Sequence, residues 1–188
     1  VMAGSRDFAI GMKLDPQTIK QVDRAMKLLP ERAFERVCKG AASYAMTPVL
    51  KAARANAQQV ADDGDLAAST IKKRKVYKPQ GVIFVLVGPE DKVIVRQKNG
   101  KTVKKNPANY SHLVEYGTAP HEISSRFQGG TLNLGVVLVS GTVQHPGSAA
   151  KPVYRPAYHS QRMNVVKRYE RKVVLGIEKE ARKLGRGG

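Results

Sequence analysis

The residues able to do chemistry are few in this chain, and none falls in the spacing a catalytic or metal centre needs. Gly100-Lys101-Thr102 has the ending of a phosphate-binding loop. That loop also requires a glycine five positions before its Gly-Lys pair, and Val95 stands there. The four histidines, His112, His121, His145 and His159, form no HExxH pair. Cys38 is the sole cysteine, so it has no disulfide partner, and its helical-looking context reads as a small buried apolar side chain. Asp62-Asp63-Gly64-Asp65 lacks the alternating acids and distal glutamate of a calcium loop and reads as a turn with a helix cap. No G-x-S-x-G nucleophile elbow occurs. Between residues 92 and 169 the only acids are Glu115 and Glu122, and nothing around them marks a general acid–base pair. The expectation is a protein that is not an enzyme and carries no metal and no cofactor.

Charge is the stronger signal. The 188 residues hold 33 Lys and Arg against 15 Asp and Glu, a net charge of +18. The excess is concentrated: residues 72–105 carry net +9 and residues 151–188 net +8. A field of this size favours a polyanion or an acidic protein surface as neighbour. The candidate contacts are Lys72, Lys73, Arg74, Lys75, Lys98, Lys101, Lys104, Lys105, Arg168, Arg171 and Lys172. These could neutralise phosphates without reading bases. No apolar run is long enough to span a membrane, and the N-terminus lacks the order of a signal peptide. Tryptophan is absent and hydrophobic content is 41%, so the core must rest on Val, Leu, Ile and Ala.

The elements that must position these residues follow from local patterning. Phe8–Leu14 alternates as a strand, and Asp15-Pro16 opens a helix to about Leu29. A second, alanine-rich helix starts near Pro30-Glu31, and Pro48 should kink or split it. Leu66–Ile71 is a short helix or an extended link. Val82–Val87 is the clearest strand, with Lys92–Gln97 as its return and Lys98-Asn99-Gly100-Lys101 as a hairpin-like tip. Asn109–Tyr116 reads as a short helix ended by Gly117, and residues 121–145 as an inserted β-loop. Pro152 and Pro156 bracket an extended segment. A last helix then runs to about Leu184, with Val166, Tyr169, Val173 and Ile177 as its buried stripe and Gly176 as a helix-weakening residue.

One constellation stands out. Tyr110-Ser-His-Leu-Val-Glu115-Tyr-Gly117-Thr118 is followed, after the insertion, by Lys151-Pro152-Val-Tyr-Arg155-Pro156-Ala157. Read physically, Glu115 is placed to pair with Arg155 or Lys151. Gly117 supplies a left-handed turn, and the prolines aim the last helix. The pair of segments resembles the tail-completion (head–tail joining, neck) family of lambdoid and related long-tailed phages, as does the upstream Asp63-Gly64-Asp65-Leu66-Ala-Ala-Ser69-Thr70-Ile71. The resemblance follows the order of elements over residues 14–184, with Val153 where the family usually has an aromatic.

The resemblance implies an α+β fold, a small antiparallel sheet packed by the long kinked Ala-rich helix and the C-terminal helix. It implies a single head–tail joining domain over 1–188. The function it implies is a virion subunit at the phage neck, made in the bacterial host cytoplasm and forming a homo-oligomeric ring, taken as a hexamer. Its partners would be other neck and tail proteins, namely the connector or head-closure protein and the tail terminator, with DNA in the channel as a further candidate and no membrane. The rival readings are a non-specific nucleic-acid-binding protein, a tail terminator or head-closure protein of the same assembly, and a secreted or toxin-like hydrolase.

Overall fold

The computed structural model describes residues 16–17, 20, 31–60, 64–77, 82–98, 101–124, 130–133 and 138–184. The expected strand Phe8–Leu14 and most of the expected helix to Leu29 lie outside them. The fold is α+β, with a long bent helix, small antiparallel sheets and a C-terminal helix. In chain order the elements are α1 (Glu31–Ala45), α2 (Thr47–Gln59), α3 (Asp65–Ser69), β1 (Thr70–Tyr77), β2 (Val82–Pro89), β3 (Ile94–Lys98), β4 (Lys101–Lys105), α4 (Pro107–Tyr116), β5 (His121–Ser124), β6 (Thr131–Asn133), β7 (Leu138–Ser140), β8 (Thr142–His145) and α5 (Tyr154–Leu184). The long helix breaks at Met46, two residues before Pro48, because a proline tolerates only the first turn of a helix.

The expected pairing of Val82–Val87 with Lys92–Gln97 is corrected, while Lys98 and Lys101 pair across the expected hairpin tip. β2 pairs with β1, and β3 pairs with β4 in the register Ile94↔Lys105 to Lys98↔Lys101, so β3 is not the return strand of β2. The partner of β2 is the basic run itself. Lys72–Lys75 lie inside β1, framed by the β-branched and aromatic residues Thr70, Ile71, Val76 and Tyr77.

The chain divides into two compact units. The first comprises the described residues within Val1–Val49, Lys72–Leu86 and Ser160–Gly188. Its apolar interior is a helical stripe of Cys38, Ala41, Ala45 and Val49 together with Val165 and Val173 of α5. Val165, and not Val166, is the fully buried valine of that turn. Burial pushes the Cys38 thiol up, with a hydrogen bond from Tyr169 opposing, and burial pushes the Tyr169 phenol up as well.

Gly176 has a packing reason that outweighs its poor helix propensity. A Cβ there would lie 2.5 Å from Val37 Cγ1 and 3.2 Å from Cγ2, so the bare glycine lets α5 approach α1. Gly176→Ala should therefore destabilise the protein by about 1 kcal/mol net, since overpacking at ~1–3 kcal/mol exceeds the ~1 kcal/mol gain in propensity. Urea denaturation of Gly176→Ala with and without Val37→Ala checks this. If the clash is the cause, the second substitution recovers part of the loss.

The second unit comprises the described residues within Leu50–Ile71 and Val87–His159. Its core cluster is Ala57, Leu66, Ala67 and Val153, with Val60, Val114 and Tyr154 packed against it. Small side chains on α2 and α3 let the start of α5 come close. The described residues of 121–145 form an arm in which β5 pairs with β8 (His121↔His145 to Ser124↔Thr142) and β6 with β7. The arm is closed at its root by a reciprocal backbone bridge. Thr118 N–H donates to Ser148 O at 3.0 Å, and Ser148 N–H donates to Thr118 O at 3.1 Å.

Candidate functional site

The motif residues converge at the start of α5. Asn106 caps α4, its side chain accepting from Ala108 N–H at 3.1 Å, and Pro107 follows at the first helical position. At the penultimate position of α4, Glu115 is only 5% exposed. Its carboxylate accepts the backbone N–H groups of Val153 (2.6 Å), Tyr154 (2.9 Å) and Arg155 (2.9 Å).

These are three of the four N–H groups that a helix start leaves without intrahelical partners, and the fourth position is Pro156, which has none. Glu115 therefore caps α5 from a distant helix, with its negative charge at the positive end of the helix dipole. Pro156 lies inside the first turn of α5. The expected extended segment bracketed by two prolines is corrected accordingly, and proline suits that turn because its missing N–H needed no partner.

Arg155 takes the outer side of the same carboxylate. Its Nε lies 3.4 Å from Glu115 Oε1, its Nη2 donates to Glu115 O at 3.3 Å, and its guanidinium sits 4.9 Å from the Tyr116 ring centroid. The arginine side chain is 42% exposed, so solvent screens the pair and the backbone bonds dominate. Lys151 contributes its N–H, which donates to Val114 O at 2.8 Å. Its side chain and Pro152 face solvent. Tyr110 is half-buried on α4.

Gly117 has φ 71° and ψ −176°, an extended region open to glycine alone and not the left-handed helical turn expected from sequence. A Cβ there would lie 2.5 Å from Ser148 O and 2.8 Å from Ala150 N.

Sequence reasoning missed the residues that complete the junction. Asn56 Nδ2 donates to Val153 O at 3.0 Å, so both backbone polar groups of Val153 are held. The Tyr154 hydroxyl meets Thr70 Oγ1 at 3.2 Å, Thr70 Oγ1 donates to Leu66 O at 2.7 Å, and Arg54 Nε donates to Thr70 O at 2.9 Å. Burial pushes the Tyr154 phenol up; the Thr70 hydrogen bond opposes this and the Glu115 carboxylate adds to it. Gly147, with φ 83°, has its absent Cβ directed at Thr118 O, mirroring Gly117 across the bridge. Only the prolines and glycines hinted at such a crossing.

The basic candidates have different local partners. Lys72 donates to Ser43 O and, at 3.1 Å, to Thr47 Oγ1. Arg74 Nη1 donates to Lys39 O at 3.3 Å. Lys105 lies 3.8 Å from the buried Asp65 carboxylate. Arg168 and Lys172 flank the Tyr44 ring at 4.1 and 5.3 Å, and Arg168 Nε is buried with no hydrogen-bond partner among the described residues. Burial, then the charge of Arg168, pulls the Lys72 ammonium down. Lys73, Lys75, Lys104 and Arg171 are exposed, and Lys98 and Lys101 stand at the paired ends of β3 and β4. Among the described residues no group of three or more His, Cys, Asp or Glu could hold a metal ion. Nor is any helix among them long and apolar enough to cross a membrane.

The motif thus joins two distant segments of an α+β fold through bonds directed at the backbone. The chain belongs to the HK97-gp10-like family of bacteriophage tail components. That family, described as "Bacteriophage HK97-gp10, putative tail-component", matches residues 20–117, more than half of the chain. No curated protein and no solved structure matches the chain.

Proposed function

We propose that this protein is a tail-completion subunit at the head–tail junction of a long-tailed phage. The whole of 1–188 acts as one joining domain with residues 121–145 inserted. Copies close into a ring, taken as a hexamer, between the tail and the head connector or head-closure protein, and the ring meets the tail terminator on its other side. Heterologous interfaces make such a ring when the rotation closes. The protein turns over no substrate, and its place is in the virion.

The observation that carries this reading is the use of Glu115. The one buried acid of the motif is wholly engaged in fixing the start of α5, so the motif builds a shaped surface. Membership in a tail-component family supports the same role. A second reading, contact with channel DNA, draws on the gathering of Lys72, Arg168 and Lys172 near Tyr44.

Electron imaging of the purified chain, alone and mixed with tails, tests the proposal. Rings that sit at the head-proximal end of the tail are the expected result. A monomer that ignores tails and only coats DNA, releasing it steeply with salt, would sink it.

A further inference from the structure

Among the described residues, the β1–β2 pair has one face covered by helix and one left open. Lys72 and Arg74 reach the backbone of α1 and the start of α2, so the even-numbered side of β1 is the inner one. Tyr77 and Phe84 meet edge to face with ring centroids 5.3 Å apart and so share the outer side. The two-residue period of a strand places Lys73 and Lys75 beside Tyr77, and Val82 and Leu86 beside Phe84. The Lys75 ammonium lies 4.9 Å from the Tyr77 ring centroid. On this outer side Tyr77 and Val82 are each 37% exposed, Phe84 38% and Leu86 52%. An apolar strand thus lies next to a basic one, both open to solvent.

Each half of this face restricts what can cover it. A stripe of Val, Phe and Leu at alternate positions gains from apolar side chains at the same repeat, which nucleic acid does not offer. The lysines, in a chain of net charge +18, disfavour a second copy of the same face. We propose that the outer face of β1–β2 docks an acidic extended segment of another protein, with apolar side chains at every second residue and carboxylates directed at Lys73 and Lys75. This rests on the reading of the chain as an assembly subunit and names the chemistry of one neighbour.

The test uses the full chain and three dye-labelled probes: a peptide of alternating Glu and Val as long as β2, its Lys–Val counterpart, and a short DNA duplex. Fluorescence anisotropy should show the Glu–Val peptide bound, and Phe84→Ser with Leu86→Ser should weaken it about tenfold. Lys73→Glu with Lys75→Glu alters only exposed side chains. That variant should lose the Glu–Val peptide and gain the Lys–Val one. No binding of the Glu–Val peptide, equal binding by all variants, DNA binding lost with Phe84 and Leu86, or self-association through this face seen by light scattering would each overturn the proposal. Ring formation by the same preparations is scored separately, so failure here and failure of the neck role are distinguishable.

Discussion

Replacing Glu115 by alanine should cost the fold about 3 kcal/mol, whereas replacing Arg155 by alanine should cost less than about 1 kcal/mol. The asymmetry follows from where each group is held. Glu115 is buried and accepts three backbone N–H groups, and its loss leaves those donors at the head of a long helix without an acceptor. Arg155 is partly solvated and lies on the outer side of the carboxylate. Glu115→Gln keeps one acceptor oxygen and should fall between the two. Swapping the charges, Glu115→Arg with Arg155→Glu, should give no recovery, because an arginine cannot accept N–H bonds. Urea denaturation with unchanged slope measures all four variants. Equal costs for the two alanine variants, with recovery in the swap, would mean that the ion pair and not the helix cap is the working contact.

Gly117→Ala and Gly147→Ala should each destabilise the second unit by about 3 kcal/mol. Two terms combine. Gly117 occupies a backbone region that costs other residues ~1–3 kcal/mol, and the positive φ of Gly147 costs ~1–2 kcal/mol. In addition, the new methyl group would meet backbone atoms of the opposite segment, which cannot turn aside as a side chain can. Gly141 is the control: its φ is 90°, but nothing lies within 4 Å of its Cβ position, so Gly141→Ala should carry the conformational cost alone. Hydrogen exchange gives the local readout. Thr118 and Ser148 amides should lose protection in the 117 and 147 variants and keep it in the 141 variant, while α1 stays protected throughout. Similar losses in all three variants would mean that backbone conformation, and not the close crossing, governs the root of the arm.

Several features were legible before the structure. The proline at 48 announced a break in the long helix, because its ring and missing N–H are local properties. The Asn106-Pro107 start and Gly117 end of α4 were nearly legible for the same reason, and the expected helix fell within it. The apolar, β-branched run Val82–Val87 marked a strand, and the segments around Glu115 and Arg155 pointed to the family that residues 20–117 match. The strand partners were not legible. A run of four cations looks like a solvated link, yet Lys72 and Arg74 run their aliphatic stems along the inner face and donate to helix carbonyls. The partners of Glu115 were hidden as well, because a reading based on side chains looks for a countercharge and does not see backbone amides.

Amino-acid order by itself determined the local conformations of this protein. It placed the helix break, the end of α4 at Gly117 and the strand over Val82–Val87, because each depends on a few neighbouring residues. It also determined the charge that any partner must meet. Tertiary structure alone decided that Glu115 caps α5, that Gly117 and Gly147 face each other across one bridge, and that one side of β1–β2 stays open. Those outcomes depend on groups brought together from 25 or more residues apart, whose unpaired N–H donors and close backbone approach exist only once the chain has packed.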